Sequence, residues 1–281
     1  MRNVLLTGAT GFVGRQVLKA LQEIVVRITI IARPGWQEKI KCRKNIISVI
    51  NTCDLFSESI EWWADTCKGI DVIIHVAWYA EHDKYLLSSK NIDCLQGTLS
   101  LAKGAALAKV QKIVGIGTCF EYDFNAGMIG TDALLKPTTP YAAAKVATYT
   151  MLSQWLPQQN IKFAWCRLFY LYGENEDKRR LVAYIKSRLE KGKSAKLTSG
   201  NQIRDFMDVK DAGETIVNVA RSNTEGAVNI CSGTRVTVRQ FAEKIANEYN
   251  GQSLLVFGAR PDNLTDPACI VGIKTKIEFN K

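Results

Sequence analysis

No window of this sequence reaches the ~18 consecutive apolar residues that a membrane span needs, no two of its eight cysteines form a CxxC pair, and no segment repeats another or is of low complexity. A membrane-spanning helix, a zinc site of paired cysteines and a fibrous or collagen-like array are therefore excluded, and no metal centre is expected. Histidine is scarce too, with only His75 and His82. No secretory leader is expected, because Met1-Arg2-Asn3 runs straight into an apolar strand pattern, and the expected location is the cytoplasm. There Cys42, Cys53, Cys67, Cys94, Cys119, Cys166, Cys231 and Cys269, widely scattered, read as reduced thiols. What is present is the composition of an ordinary globule able to bury a sizeable core: 47% hydrophobic and 23% charged residues, with six prolines and twenty glycines spread along the chain. At 281 residues the chain exceeds one typical domain and falls short of two, so one enlarged α/β domain or a core with a small lobe is expected.

Basic residues number 37 against 27 acidic ones, a net charge of +10 that favours anionic partners: nucleic acid, anionic lipid or phosphorylated small molecules. The charge concentrates in two places, Arg33 to Lys44 and Lys178 to Lys196. In the second, Leu181, Tyr184, Ile185 and Leu189 recur at helical spacing, which is the pattern of a solvated helix face. No nucleic-acid recognition motif accompanies the charge, so neither nucleic acid nor a membrane is the expected partner.

Short β-branched runs alternate with helical periodicity. Asn3 to Thr7, Arg27 to Ala32, Ile46 to Ile50, Val72 to Val76, Lys112 to Ile116 and Lys162 to Leu168 read as strands, and Phe12 to Glu23, Asn91 to Ala108 and Tyr141 to Leu156 as helices. Strands separated by helices pair in parallel through right-handed crossovers, so the expected fold is α/β with a doubly wound parallel Rossmann sheet. After Tyr172 the alternation fades into the charged helix, the stretch Thr198 to Phe206, Val228 to Ile230 and a helix at Val238 to Asn250. These suggest a smaller C-terminal lobe partly threaded back to the sheet. Residues 1–168 and 204–232 are assigned to the dinucleotide-binding domain, and 169–203 with 233–281 to the lobe.

Leu6-Thr-Gly-Ala-Thr-Gly-Phe-Val-Gly14 sits where a dinucleotide phosphate loop must sit, after the first strand and opening the first helix. Gly8 permits the tight turn, Gly11 lets backbone approach a pyrophosphate and Gly14 lets the helix pack on the strand, with Thr10, Phe12 and Val13 beside them. An acidic residue that would hold an NAD ribose is missing at the end of the second strand, which reads Ala32-Arg33-Pro34. A guanidinium suits a 2′-phosphate, so NADPH is expected over NADH; the alternative is that Arg33 stacks on adenine or faces solvent. Asp54 and Leu55, after the third strand, are placed to hold the adenine edge, though an Asp there is also an ordinary turn former. Tyr141-Ala-Ala-Ala-Lys145 follows Thr139-Pro140, a cap and a first-turn proline, so Tyr141 and Lys145 share one helix face. A nearby ammonium is expected to lower the tyrosine's pKa and make it a usable acid near neutrality.

With these motifs, the chain resembles an extended short-chain dehydrogenase/reductase of the epimerase/dehydratase kind. The match runs from Thr7 to about Gly233, through His75-Val-Ala77, Asn91 with Gly97-Thr98, Gly117-Thr-Cys-Phe-Glu-Tyr122, the YAAAK motif, Arg167-Leu-Phe-Tyr-Leu-Tyr-Gly173 and Arg204-Asp-Phe-Met-Asp-Val-Lys-Asp211. The resemblance implies an NAD(P)-dependent oxidoreductase whose catalytic set is Thr118, Tyr141 and Lys145. It implies Val76 and Ala77 along the cofactor, His75 as a packed residue of that wall, and Arg204 on the diphosphate of a nucleotide sugar. Thr118, Cys119, Phe120 and Tyr170 are the remaining substrate candidates. Dehydratases of this family carry Asp and Glu after the matching Thr, where Cys119 and Phe120 stand here. Epimerising reductases need a cysteine and a histidine, and Gly173 to Tyr184 holds no histidine. Tyr170 replaces a common asparagine, so the chain is most similar to reductases of nucleotide-linked 4-keto-6-deoxysugars that serve polysaccharide or O-antigen synthesis. Two other functions stay open: a 4-epimerase with bound NAD, and a catalytically silent NADP-binding sensor or scaffold. The family also implies a homodimer through the helices at Asn91 and Tyr141. Such chains commonly continue into a last helix, whereas this one stops at Lys281, so the lobe is expected to be either trimmed or natively short.

Overall fold

The computed structural model describes residues 1–36, 45–263 and 266–279. Cys42 and the basic cluster from residue 37 to Lys44 lie outside them. The chain opens with β1 (Asn3–Thr7), α1 (Phe12–Gln22), β2 (Arg27–Ala32), β3 (Ile46–Asn51), α2 (Ile60–Thr66), β4 (Val72–His75), α3 (Lys90–Leu107) and β5 (Lys112–Thr118). It continues through β6 (Met128–Ile129), α4 (Pro140–Trp155), β7 (Lys162–Leu168), β8 (Tyr170–Tyr172), α5 (Leu181–Leu189), β9 (Ala195–Lys196), β10 (Ile203–Arg204) and β11 (Phe206–Asp208). Last come α6 (Val209–Arg221), β12 (Gly226–Ile230), β13 (Val236–Thr237), α7 (Val238–Asn247), β14 (Leu255–Val256) and β15 (Cys269–Gly272).

Seven strands form one parallel sheet in the order β12-β7-β5-β4-β1-β2-β3. The winding reverses between β1 and β4, and a crevice at the carboxyl ends of the strands is the expected consequence of that reversal. Both faces are covered, which is why β1 is apolar at successive positions rather than alternating. Val4 and Leu6 join Val17 and Leu21 of α1 and Val209 and Ile216 of α6 on one side, and Leu5 joins Trp63, Leu101, Leu152 and Trp165 on the other. A separate apolar cluster forms between α5 and α7 from Val182, Ile185, Leu189, Phe241 and Ile245, and Val236, Arg204, Ile270 and Met128 lie in a second, four-stranded sheet, β13-β10-β15-β6.

The doubly wound sheet agrees with the sequence reading, and β12 does return to it. Two helices were not anticipated. α2 is short, starting at Ser59, whose side chain accepts from Trp62 N, and α6 starts at Asp208, which accepts from Lys210 N. The charged helix is confined to α5, nine residues; of the flanking basic positions, Lys178, Arg179 and Lys191 lie in turns and Lys196 in β9. Lys112 opens β5 yet is 4% exposed: its ammonium donates to the carbonyls of Val219, Ser222 and Thr224 at 2.7, 2.8 and 2.9 Å, closing the C-terminal end of α6. The described cysteines are all free thiols.

Candidate active site

The turn after β1 is built for close approach. Gly8 has φ +72°, and a Cβ there would lie 2.6 Å from Ala77 N; a Cβ on Gly14 would collide with the Gly8 carbonyl. At Gly11 a Cβ would meet only Gly8 O, at 3.4 Å, so the fold itself does not demand glycine there. α1 begins at this point with no side-chain cap hydrogen bond and no acidic residue in its first turn. Its first N–H groups and the positive end of its dipole therefore fit a pyrophosphate. Beyond the turn, Ala77 N donates to Thr7 Oγ1 at 3.2 Å, and Thr7 Oγ1 lies 2.8 Å from His75 Nδ1. On the ring's other side, Nε2 lies 3.0 Å from Thr98 Oγ1, whose own proton goes to Cys94 O at 2.7 Å. Nε2 must then be the donor and Nδ1 the acceptor, which fixes a neutral tautomer. Burial, then the Lys145 charge, hold the His75 pKa down to about 3, so this histidine is a packed wall residue and no acid.

Arg33 leaves the end of β2 exposed, its guanidinium 5.9 Å from the centre of the Trp36 ring. Asp54 accepts from Phe56 N at 3.0 Å and so closes its own turn, while Leu55 packs against the core beside it. Val76 and Ala77 border the glycine turn directly, as the Gly8 contacts require.

Thr118 ends β5, and Thr139 caps α4 by accepting from Ala142 N at 3.2 Å, with Pro140 in the first turn. Thr118 stands near Tyr141 and favours its ionised form, and the Tyr141 ring meets that of Tyr85 edge-on at 4.8 Å. One turn along, Lys145 is 3% exposed and donates to Ile116 O at 2.6 Å. Burial pushes Lys145 down to about 7, against the opposing pull of Glu121 and Cys94. Tyr141 is pushed upward by burial, with Thr118 opposing. The expected lowering of the phenol is thus corrected: desolvation outweighs a cation whose Nζ is 5.9 Å from the ring centre. Tyr141 holds its proton, which suits a donor.

The substrate candidates also meet. Cys119 is 3% exposed, and burial raises its thiol pKa, so it is not a thiolate base. Phe120 and Tyr170 stand edge-to-face with ring centres 6.3 Å apart, and Tyr170 meets Phe206 at 6.1 Å. Arg204 is 3% exposed, donates to Ile203 O at 2.8 Å and pairs with Asp266 at 2.6 Å. Its guanidinium is already matched by a carboxylate, so a diphosphate would have to replace Asp266. In the α5 region a cavity of about 190 Å³ is lined by Arg179, Tyr184, Thr198 and Arg260 among others. A larger hollow of about 780 Å³, at Arg2, Gln22, Arg27 and Asn45, opens at the amino ends of β1 and β2, the opposite edge from these groups.

A glycine turn feeding a helix N-terminus, with Thr118 at the end of β5 and Tyr141 and Lys145 on α4, is matched over residues 4–231 by the model of the NAD dependent epimerase/dehydratase family. The chain belongs to that family. It is an enzyme of the extended short-chain dehydrogenase/reductase type. It is similar to the dTDP-6-deoxy-L-talose 4-dehydrogenase (NAD(+)) of Aggregatibacter actinomycetemcomitans, 26% identical over 97% of this chain and 100% of that one. It is also similar to the CDP-abequose synthase of Salmonella typhimurium (strain LT2), 24% identical over 91% and 84%. The UDP-N-acetylglucosamine 4-epimerase from Methanobrevibacter ruminantium M1, solved with UDP-N-acetylmuramic acid, shares the fold, with a TM-score of 0.86 at 21% identity over 98% and 90% of the two chains.

Sequence reasoning missed the groups that hold the end of β5, and with it Thr118, in place. Glu121 is fully buried, and its carboxylate accepts from Thr118 N at 2.8 Å, Trp165 Nε1 at 3.0 Å and Arg167 Nε at 2.7 Å. Arg167 also donates to Tyr122 Oη at 2.8 Å, and Tyr122 to Asn229 Oδ1 at 2.7 Å. A signal was available, since Thr118-Cys-Phe-Glu121 has the spacing of a capping box, and both of its bonds form. Trp78 and Asp266 carried no comparable local signal.

Proposed function

We propose that this enzyme reduces the 4-keto group of a nucleotide-diphospho-6-deoxysugar, of the dTDP-4-keto-6-deoxyglucose or CDP-4-keto-3,6-dideoxyglucose kind, in the synthesis of polysaccharide or O-antigen precursors. The observation that carries this reading is what surrounds Thr118. Beside it stand a phenol, a buried thiol and a phenyl ring, while Glu121, which accepts from Thr118 N, is turned into the core and consumed there. Water elimination or ring epimerisation needs an acid and a base facing the sugar; ketone reduction needs one proton and one hydride. A bound dihydronicotinamide supplies the hydride. Thr118 hydrogen-bonds the carbonyl oxygen, Tyr141 Oη gives that oxygen its proton, and Lys145 holds the nicotinamide ribose and the local positive charge. The names of the talose 4-dehydrogenase and abequose synthase relatives support a deoxysugar substrate. Cys119, Phe120 and Tyr170 line the sugar site, and Arg204 receives the diphosphate once Asp266 yields. Residues 1–168 and 204–232 bind the cofactor, and 169–203 with 233–281 the nucleotide sugar. Ile92 and Leu107 of α3 and Met151 of α4, 58%, 67% and 51% exposed, support a homodimer across these helices; the expected location is the cytoplasm. The test is consumption of NADPH on a panel of dTDP-, CDP- and GDP-linked 4-keto sugars, with products read by NMR. Failure on every 4-keto sugar overturns the reading.

Preference for NADPH rests on Arg33, and the NAD(+) in the relative's name makes the test pointed. Arg33→Ala should raise the KM for NADPH by roughly 10- to 100-fold and leave that for NADH nearly unchanged, since only the 2′-phosphate loses a charge-assisted contact. Equal effects on both cofactors would assign Arg33 to adenine stacking instead.

A simple reduction breaks no C–H bond next to the ketone. Turnover in deuterated water should therefore leave carbons 3 and 5 of the product unlabelled by NMR, because the Cys119 thiol is neither ionised nor opposed by a histidine. Deuterium at either carbon would turn the enzyme into an epimerase-reductase.

A further inference from the structure

Among the described residues, no carboxylate forms an ion pair with Lys145. Its ammonium gives one hydrogen bond, to Ile116 O at 2.6 Å, and what it faces is the indole of Trp78, whose ring centre is 3.5 Å from Nζ. The rings of Trp165 and Tyr141 stand further off, at 5.5 and 5.9 Å. Trp78 is itself pinned. Its Nε1 donates to Asn91 Oδ1 at 2.9 Å, and the Asn91 amide is fixed by donating to Tyr85 O and Ser88 O at 2.7 and 2.9 Å. Phe56 meets the indole edge-on at 6.3 Å.

We propose that Trp78 is a positioning residue for Lys145, its indole face acting as the negative partner that keeps this buried ammonium charged and aimed into the crevice. The proposal rests on the role given to Lys145 above. The face of an indole carries negative potential, and a desolvated cation at this range gains more from it than an exposed one does. Burial works the other way and brings Lys145 down to about 7. The other titratable groups facing it come from every neighbouring element. Glu121, after β5, and Cys94, on α3, favour the ammonium; His75 of β4 is neutral, and Tyr141 on the same helix holds its proton. With the balance so close to neutrality, removing the indole should move the lysine's titration by about one pH unit downward. Since the charged form is present below its pKa and lost as pH rises through it, the alkaline limb of activity should move to lower pH with it.

The test is the titration of Lys145 itself in the full-length protein, followed by NMR of ¹³Cε-labelled lysine and assigned with Lys145→Met. Trp78→Leu should lower the midpoint by about one pH unit, and Trp78→Phe by less than half as much. Growth on 5-fluorotryptophan, which withdraws electron density from the ring at nearly unchanged shape, should lower the midpoint more in the wild-type chain than in Trp78→Phe. This last measurement serves even where Trp78→Leu fails to fold. No change in any of these, or an equal shift for Leu and Phe with no fluorine effect, overturns the proposal. The alkaline limb of kcat on a reducible 4-keto sugar should follow the same order. Titrations that shift as expected in a protein that reduces no such sugar would leave the role of Trp78 standing and remove the substrate.

Discussion

Tyr141→Phe is expected to lower turnover by about 10²–10⁴ while leaving cofactor binding nearly intact. The change removes one hydroxyl and little else. The edge-on contact with Tyr85 belongs to the ring, and the bond from Tyr141 N to Leu86 O belongs to the backbone, so both survive. What disappears is the proton donor beside Thr118, and the site offers no substitute. His75 is a neutral wall residue, the Cys119 thiol is buried and Glu121 is committed to the core. The loss should fall on kcat and kcat/KM alike, because proton donation is an interaction of the transition state. Single-turnover rates and the cofactor Kd, measured side by side, check it. Near-normal turnover would remove Tyr141 from the chemistry.

Arg167→Met should be the most damaging single change to stability. Arg167 and Glu121 are 1% and 0% exposed at 2.7 Å, so truncating one leaves the other's charge buried without its partner. Breaking such a pair costs about 3–5 kcal/mol, which in a chain of this size lowers the Tm by roughly 10 °C. Joint replacement, Glu121→Gln with Arg167→Met, should recover part of that loss because no unpaired charge remains. Thermal unfolding of the three variants decides it, and a double variant as unstable as Arg167→Met alone would mean that packing against the Tyr122 and Tyr149 rings, at 4.5 and 4.6 Å, carries the effect. The same pair matters to the chemistry, since Glu121 also accepts from Thr118 N and so holds the end of β5.

By itself the sequence determined the parts whose information is local. The run Asn3 to Thr7, the three glycines after it and the periodicity of Phe12 to Glu23 specify a strand, a tight turn and a helix, and thereby the cofactor's place. Tyr141 and Lys145 four positions apart, behind Thr139-Pro140, specify their shared helix face for the same reason. α2 was hidden by its seven residues, too few for a periodic signal. The tertiary structure decided everything that depends on which strands become neighbours. Because β5 pairs with β7 in the register that sets Gly117 beside Arg167, two charges separated by 46 residues meet in the core. Because β4 pairs with β5, and Lys145 reaches the Ile116 carbonyl of β5, the segment after β4 carries Trp78 over Lys145. Asp266 reaches Arg204 only through the pairing of β15 with β10. The protonation states followed from these meetings: burial raised Tyr141 and lowered Lys145, and desolvation is a property of what surrounds a group in space, which no spacing along the chain encodes.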